Sequence, residues 1–198
     1  MRKRLKAFTL VEMLIVMGII IILMAIGIAS GRFAIQRANK IEHQNAAENI
    51  YQALQSYYSD NREYPGKDDG GMIVATLMDD TVLGLYVDDF EGGSEATYAY
   101  VVDPSGQEIL VCVTYGGEAD VNNVGIYCAG NGIGSTVLNG GTVPSQKDID
   151  YDNADDIADY EIARQLFSDT TASHWVPSSK SWDQTAPLAP DAHEDAGV

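Results

Sequence analysis

KAFTLVEMLIVMG, residues 6–18, decides how this chain begins and what its first segment can do. Glu12 is the one charged side chain between Ala7 and Gly31, in a run that is otherwise apolar or small apart from Thr9 and Ser30. A carboxylate near hydrocarbon costs roughly 2.5–3.5 kcal/mol on insertion scales, so a residue in that place is a functional candidate when a partner can be named. The uncharged stretch from Met13 to Gly31 is long enough to span a bilayer core of about 30 Å as a helix. Arg2, Lys3, Arg4 and Lys6 precede it. The remaining 8 basic side chains of the 198-residue chain face 29 acidic ones, a net of −21 within an overall −17. A basic tip, an apolar span and an acidic body predict a single-pass membrane protein, N-terminus cytoplasmic and body outside. Such a body repels nucleic acid, so direct nucleic-acid binding is not expected.

Three readings account for the first thirty residues. One is a plain N-terminal anchor, which leaves Glu12 unexplained. Another is a secretory signal peptide with Gly27 and Ala29 before a cut at Ser30, although its apolar region exceeds the usual 7–15 residues. The third rests on F-T-L-V-E followed by an unbroken apolar run, which resembles the N-terminal motif of type IV prepilins and type II secretion pseudopilins. The resemblance implies a leader, 1–7, removed by a prepilin peptidase between Ala7 and Phe8, with Phe8 then N-methylated. Where that family usually has Gly before the cut, this chain has Ala7. It also lacks the proline that many pilins carry within the apolar segment, its first proline being Pro65. The cut creates an ammonium on Phe8, and the resemblance implies that Glu12 of one subunit pairs with the Phe8 amine of a neighbour. An intramolecular pair across the same four-residue offset is the alternative.

The helical pattern continues past the membrane. Ala34, Ala38 and Ile41, then Ala47, Ile50, Leu54 and Tyr57, recur at three- and four-residue spacing until Ser59-Asp60-Asn61 and Pro65-Gly66 end the run. Unbroken from Phe8, that helix would be about 80 Å long; a break near Gly31 is the other option. YYSDNREYPG, with Tyr57, Tyr58, Tyr64 and Pro65, resembles the end of the long pilin helix. After an acidic loop (79–95), ATYAYVVD, QEILVCVTY and NVGIYCAG read as three strands, the first two joined by a Pro104-Ser105-Gly106 turn. The expected class is α+β: a long N-terminal transmembrane-to-amphipathic helix packed on a small antiparallel β-sheet, a pilin-like roll, with an acidic C-terminal tail. The segments are the leader 1–7, a transmembrane and assembly helix 8–31, its amphipathic continuation 32–62, a small extracytoplasmic α+β domain 63–134, and an acidic, partly disordered extension 135–198. Cys112 and Cys128 fall inside the second and third strands, where either a disulfide or two buried thiols fits.

In the extension, Asp148, Asp150, Asp152, Asp156 and Asp159 take positions 1, 3, 5, 9 and 12 of a twelve-residue loop, the spacing of oxygen ligands around Ca²⁺. Asn153 stands where such loops have Gly and Asp159 where they have Glu, and the competing reading is a solvated acidic segment. Ca²⁺ is the one cofactor the residues suggest. Trp175 and Trp182 bracket a stretch that docks on the body, on a neighbour, or not at all. The histidines His43, His174 and His193 are scattered with no nucleophile beside them, and Gly130-x-Gly132-x-Gly134 lacks dinucleotide-binding spacing, so no enzyme is read here. The reading is a structural subunit of a type IV pilus or type II secretion pseudopilus. The partners implied by the resemblance are copies of itself, other pilins or pseudopilins, the prepilin peptidase, an inner-membrane assembly platform with its ATPase, and the lipid bilayer. The alternative is a non-polymerising, membrane-anchored extracellular binding module, calcium-dependent through the aspartates.

Overall fold

The computed structural model describes residues 9–69, 71–79, 81–87, 90, 92, 95–115, 125–131, 147–150, 155, 162–168 and 172–183. Helix α1 (Leu10–Asn61) crosses from one compact unit, Met1–Ala38, into a second, Asn39–Val198. In the first unit the described part is helix alone. Alanine, leucine, isoleucine and methionine fill it, and no proline interrupts it.

In the second unit α1 has one buried stripe. His43, Ala46, Ala47, Ile50, Ala53 and Leu54 are buried, while Asn45, Asn49, Gln52 and Gln55 face outwards. The periodic apolar positions Ala34, Ala38 and Ile41 are exposed, so the covered stripe begins only at His43. The helix stops where its pattern predicts. Asn61 donates from Nδ2 to the Tyr57 carbonyl at 3.0 Å, and Arg62 adopts φ +66 while its N–H bonds the Tyr58 carbonyl at 2.8 Å. That is a left-handed helix stop formed by a residue with a Cβ, in a place glycine usually takes.

Short pieces follow: a 3₁₀ turn (Lys67–Asp69) and helix α2 (Val74–Leu77), which inserts Val74 and Leu77 into the core. Among the described residues six strands then form one antiparallel sheet: β1 (Ala96–Val102), β2 (Ile109–Thr114), β3 (Gly125–Gly130), β4 (Lys147–Asp150), β5 (Ser173–Val176) and β6 (Ser181–Asp183), in the order β4-β3-β2-β1-β5-β6. The three strands read from the sequence are β1, β2 and β3, and they form the expected meander. The β1–β2 connection is held by Asp103. Its carboxylate accepts the Gln107 and Glu108 amides at 2.8 Å each and both donors of Ser105, while Gly106 turns the chain at φ +68.

The sheet has two covered faces. Tyr98, Tyr100, Val102, Ile109, Val111, Val113 and Ala129 pack with the α1 stripe. Ala99, Leu110, Cys112, Ile126, Cys128 and Ile149 point the other way and pack with Ala163, Leu166, Phe167 and Ala172. All six residues of β2 are consequently buried. On this second face Cys112 and Cys128 stand directly opposite in register and are joined by a disulfide.

The segment 135–198 is thus not separate from the body where it is described. β4 extends the meander at one edge. The helical turn at 162–168 crosses the second face, and the β5–β6 hairpin adds to the free edge of β1. Pairing β5 with β1 satisfies an edge of open hydrogen-bonding groups, and Leu166 and Phe167 cover apolar side chains that would otherwise meet water.

An aromatic node ties the hairpin to the helix. Trp175 and Trp182 are cross-strand partners with ring centroids 5.0 Å apart, and Phe90 lies 5.0 Å from each. Gly92 threads between them. A Cβ there would lie 2.6 Å from Trp175 Cδ1 and 2.7 Å from the Phe90 ring, so only glycine lets the backbone pass. The Gly92 carbonyl accepts the Tyr98 hydroxyl at 3.2 Å, and the Gly92 backbone also hydrogen-bonds the buried His43 ring.

Burial pushes His43 down to about 4, against the Gly92 hydrogen bond, which favours the charged ring. Between pH 6.5 and 4 the unfolded chain takes up a proton at His43 that the folded chain does not. Stability is therefore complete above pH 6.5 and falls by up to about 3 kcal/mol as the pH drops to 4. Denaturant unfolding of the full chain in detergent at pH 7 and 4.5 should show this loss, and His43→Gln should show a correspondingly smaller one. Replacing both Cys112 and Cys128 by Ser should lower stability by about 3 kcal/mol, the cost of reopening a loop of this length, read from the unfolding midpoint at pH 7.

Candidate processing and assembly site

Thr9 and Glu12 build the start of α1 together. The Thr9 backbone N–H donates to Glu12 Oε2 at 2.9 Å, and the Thr9 hydroxyl donates to the same oxygen at 2.9 Å. In return, the Glu12 N–H approaches Thr9 Oγ1 at 3.3 Å. The Met13 N–H bonds the Thr9 carbonyl at 3.3 Å, the first regular bond of the helix. This is a capping box: a Thr at the N-cap and a Glu three residues on satisfy each other's backbone amides. The arrangement matters most at the edge of hydrocarbon, where water is scarce and an unpaired amide is costly. The negative carboxylate also sits at the positive end of the helix dipole.

Sequence reasoning sought a partner for Glu12 on Phe8 and passed over Thr9. The signal was present, because T-x-x-E ahead of an apolar run is the capping-box pattern. Ala7 and Phe8 lie outside the described residues. Both hydrogen bonds from Thr9 fall on Oε2, and a carboxylate accepts through two oxygens. The cap and a further cationic donor can therefore share one side chain.

From Met13 to Gly27, beyond the cap, α1 offers only apolar surface. From Leu10 to Ile26 the large hydrophobic side chains are between 44 and 81 % exposed. The 18-residue span Leu10–Gly27 has a mean hydropathy of 2.8 and none of it is buried. A helix apolar on every side is stable only within lipid or among other apolar helices. Gly18, Gly27 and Gly31 have nothing within 4 Å of where a Cβ would stand, so these positions lie open on the helix surface.

The other residues singled out by sequence lie apart from this segment. Cys112 and Cys128 form the disulfide within the sheet. Of the proposed Ca²⁺ ligands, Asp148 and Asp150 belong to β4, in register with Tyr127 and Gly125, whereas Asp152, Asp156 and Asp159 lie outside the described residues. Among the described residues no group of three or more His, Cys, Asp or Glu side chains is gathered as metal ligands would be.

A capped glutamate at the mouth of an exposed, membrane-length apolar helix, preceded in the chain by a basic hexapeptide, is the arrangement a known sequence signature encodes. Residues 2–28 match the prokaryotic N-terminal methylation motif. This is the type IV prepilin and pseudopilin signature. The match supports a pilin- or pseudopilin-like protein of the kind a prepilin peptidase processes, and the motif is that of a structural family rather than of an enzyme family. The match takes in Ala7, Phe8, Glu12 and the apolar span; residues 29–198 lie beyond it. No curated protein and no solved structure matches the chain. The apolar helix of the prepilin signature fits a single-pass membrane anchor.

If the capping box starts the helix, Thr9→Val, which removes the acceptor of the Glu12 N–H, should speed hydrogen exchange at the Glu12 amide by roughly fivefold, while Thr9→Ser stays near wild type. Exchange measured on the full chain in micelles decides it. Unchanged protection in the valine variant would remove the cap.

Proposed function

We infer that this chain is a structural subunit of a type IV pilus or type II secretion pseudopilus. The observation that carries this reading is the methylation motif at residues 2–28, whose stretch Leu10–Gly27 is a helix with its large apolar side chains exposed. Stored in the bilayer, the subunit has its basic leader in the cytoplasm, in keeping with the positive-inside rule. The peptidase cuts between Ala7 and Phe8 and Phe8 is methylated. An assembly platform with its ATPase then lifts the subunit out of the membrane, and neighbouring apolar helices replace the lipid around Leu10–Gly27.

Charge explains the place of Glu12 in this scheme. A Phe8 ammonium and a Glu12 carboxylate are each costly in an apolar surrounding and together neutralise one another. A subunit entering the filament in register brings its amine to the Glu12 of its neighbour, whereas one out of register buries both charges unpaired. The pair thus serves to set the axial position more than to add net stability. The acidic, disulfide-bonded body suits the oxidising side of the membrane.

The mass of the N-terminal peptide from membrane and sheared-filament fractions tests the reading. A peptide beginning at methylated Phe8 is expected in both. A start at Ser30 would mean signal-peptidase cleavage, and a start at Met1 in a protein never found in filaments would mean an anchored binding module. Glu12→Gln should leave insertion and cleavage intact and reduce filament incorporation by roughly tenfold or more. Incorporation at the wild-type level would remove the charge-pairing role.

A further inference from the structure

A groove of ≈ 300 Å³ opens along α1 in the second unit, between one ridge of the helix and the rings of Tyr86 and Phe90. Asn49, Gln52 and Ser56, three and four residues apart, form that ridge, and the small, buried Ala53 also lines the groove. The aromatic wall is held by its neighbours. The Tyr86 hydroxyl donates to Asp60 Oδ2 at 2.8 Å, and its ring meets Tyr57 edge-on at 6.0 Å. The Phe90 ring centroid stands 5.0 Å from those of both Trp175 and Trp182. The helix wall is polar and unspent. Asn49 and Gln52 are exposed, and among the described residues neither carboxamide takes part in a hydrogen bond. The Ser56 hydroxyl donates to the Gln52 carbonyl at 3.1 Å and keeps its oxygen as an acceptor.

The chemistry of the lining selects what it can hold. Among the described residues no charged side chain lines the groove, although the chain after the leader carries a net of −21. That body repels an anion, and a cation meets no carboxylate in the lining. A carboxamide donates and accepts from one side chain, which suits a hydroxyl group that does the same. Aromatic rings opposite suit a ligand whose other surface is C–H. A sugar ring joins both properties, with hydroxyls around its rim and C–H groups on its faces. We propose that this groove binds a neutral saccharide, its hydroxyls on Asn49, Gln52 and Ser56 and its C–H surface against Tyr86 and Phe90.

Size and backbone chemistry favour this ligand over a peptide. The volume lies at the lower end of the range for small-molecule sites. An extended peptide also needs partners for its own amides, such as a sheet edge, and a helix ridge offers no row of them. The site lies within the second unit and depends neither on cleavage before Phe8 nor on filament assembly.

The two tryptophans of the chain both pack on Phe90, so indole emission reports on the groove. The full-length chain, in a zwitterionic detergent without sugar headgroups, is titrated with glucose, galactose, mannose, N-acetylglucosamine and their disaccharides. Glucuronic acid and uncharged, end-blocked tripeptides serve as rivals, and saturation-transfer NMR is read beside the emission. Saturable binding of at least one neutral saccharide is expected, with glucuronic acid weaker than glucose. Asn49→Ala with Gln52→Ala, at exposed positions where alanine keeps the helix, should weaken that binding by roughly tenfold. An unchanged affinity in the double variant would overturn the proposal. So would silence from every neutral saccharide, glucuronic acid binding as tightly as glucose, or a response to the tripeptides alone.

Discussion

Hydrocarbon, or its equivalent in packed apolar helices, is the constraint from which the rest of this chain follows. The large side chains from Leu10 to Ile26 are exposed, while the apolar side chains of the sheet and of the α1 stripe pack with one another within the second unit. An apolar helix in that position needs its first amides satisfied internally, and Thr9 and Glu12 do this for each other. Glu12 is consequently a structural cap before it is anything else. The pairing proposed above with a neighbour's ammonium would draw on the same negative charge at the same helix mouth.

The second unit solves an ordinary problem in two steps. One stripe of α1 covers one face of a sheet, as in any helix-on-sheet layer. The other face is closed by chain that comes much later, through Ala163, Leu166, Phe167 and Ala172. The disulfide lies in that second layer, between strands already neighbours, so it reinforces the β2–β3 pairing and does not join distant parts.

Gly92 is where the pieces meet. Its carbonyl receives Tyr98 from β1, its backbone bonds His43 of α1, and its missing side chain leaves room for Trp175 of β5 and for Phe90. The acidic stretch between α2 and β1 is therefore anchored at both its helix and its hairpin side by one residue with no side chain. Polar groups along α1 add to the grip: Gln44 donates to the Tyr115 hydroxyl at 2.8 Å, Lys40 lies over the Tyr115 ring at 4.7 Å, and Tyr127 donates to Glu48.

The N-terminal motif, the membrane span, the helix end at Asn61 and the strands β1 to β3 were legible in the sequence, because each is written in local pattern: an apolar run, a three-to-four period, a turn with Pro and Gly. The Thr9–Glu12 cap was legible too, as T-x-x-E, and was overlooked in favour of a charge partner. What only the tertiary structure decided was long-range. Leu166 and Phe167 fall in the segment read as an acidic, partly disordered extension, and for Trp175 and Trp182 the sequence leaves docking on the body, docking on a neighbour and no docking all open, since nothing near them in the chain shows what they cover. Their role depends on a sheet edge and a sheet face built some sixty to eighty residues earlier. Local periodicity reports which face of an element is apolar, but the identity of the surface that meets it is set by packing between distant segments.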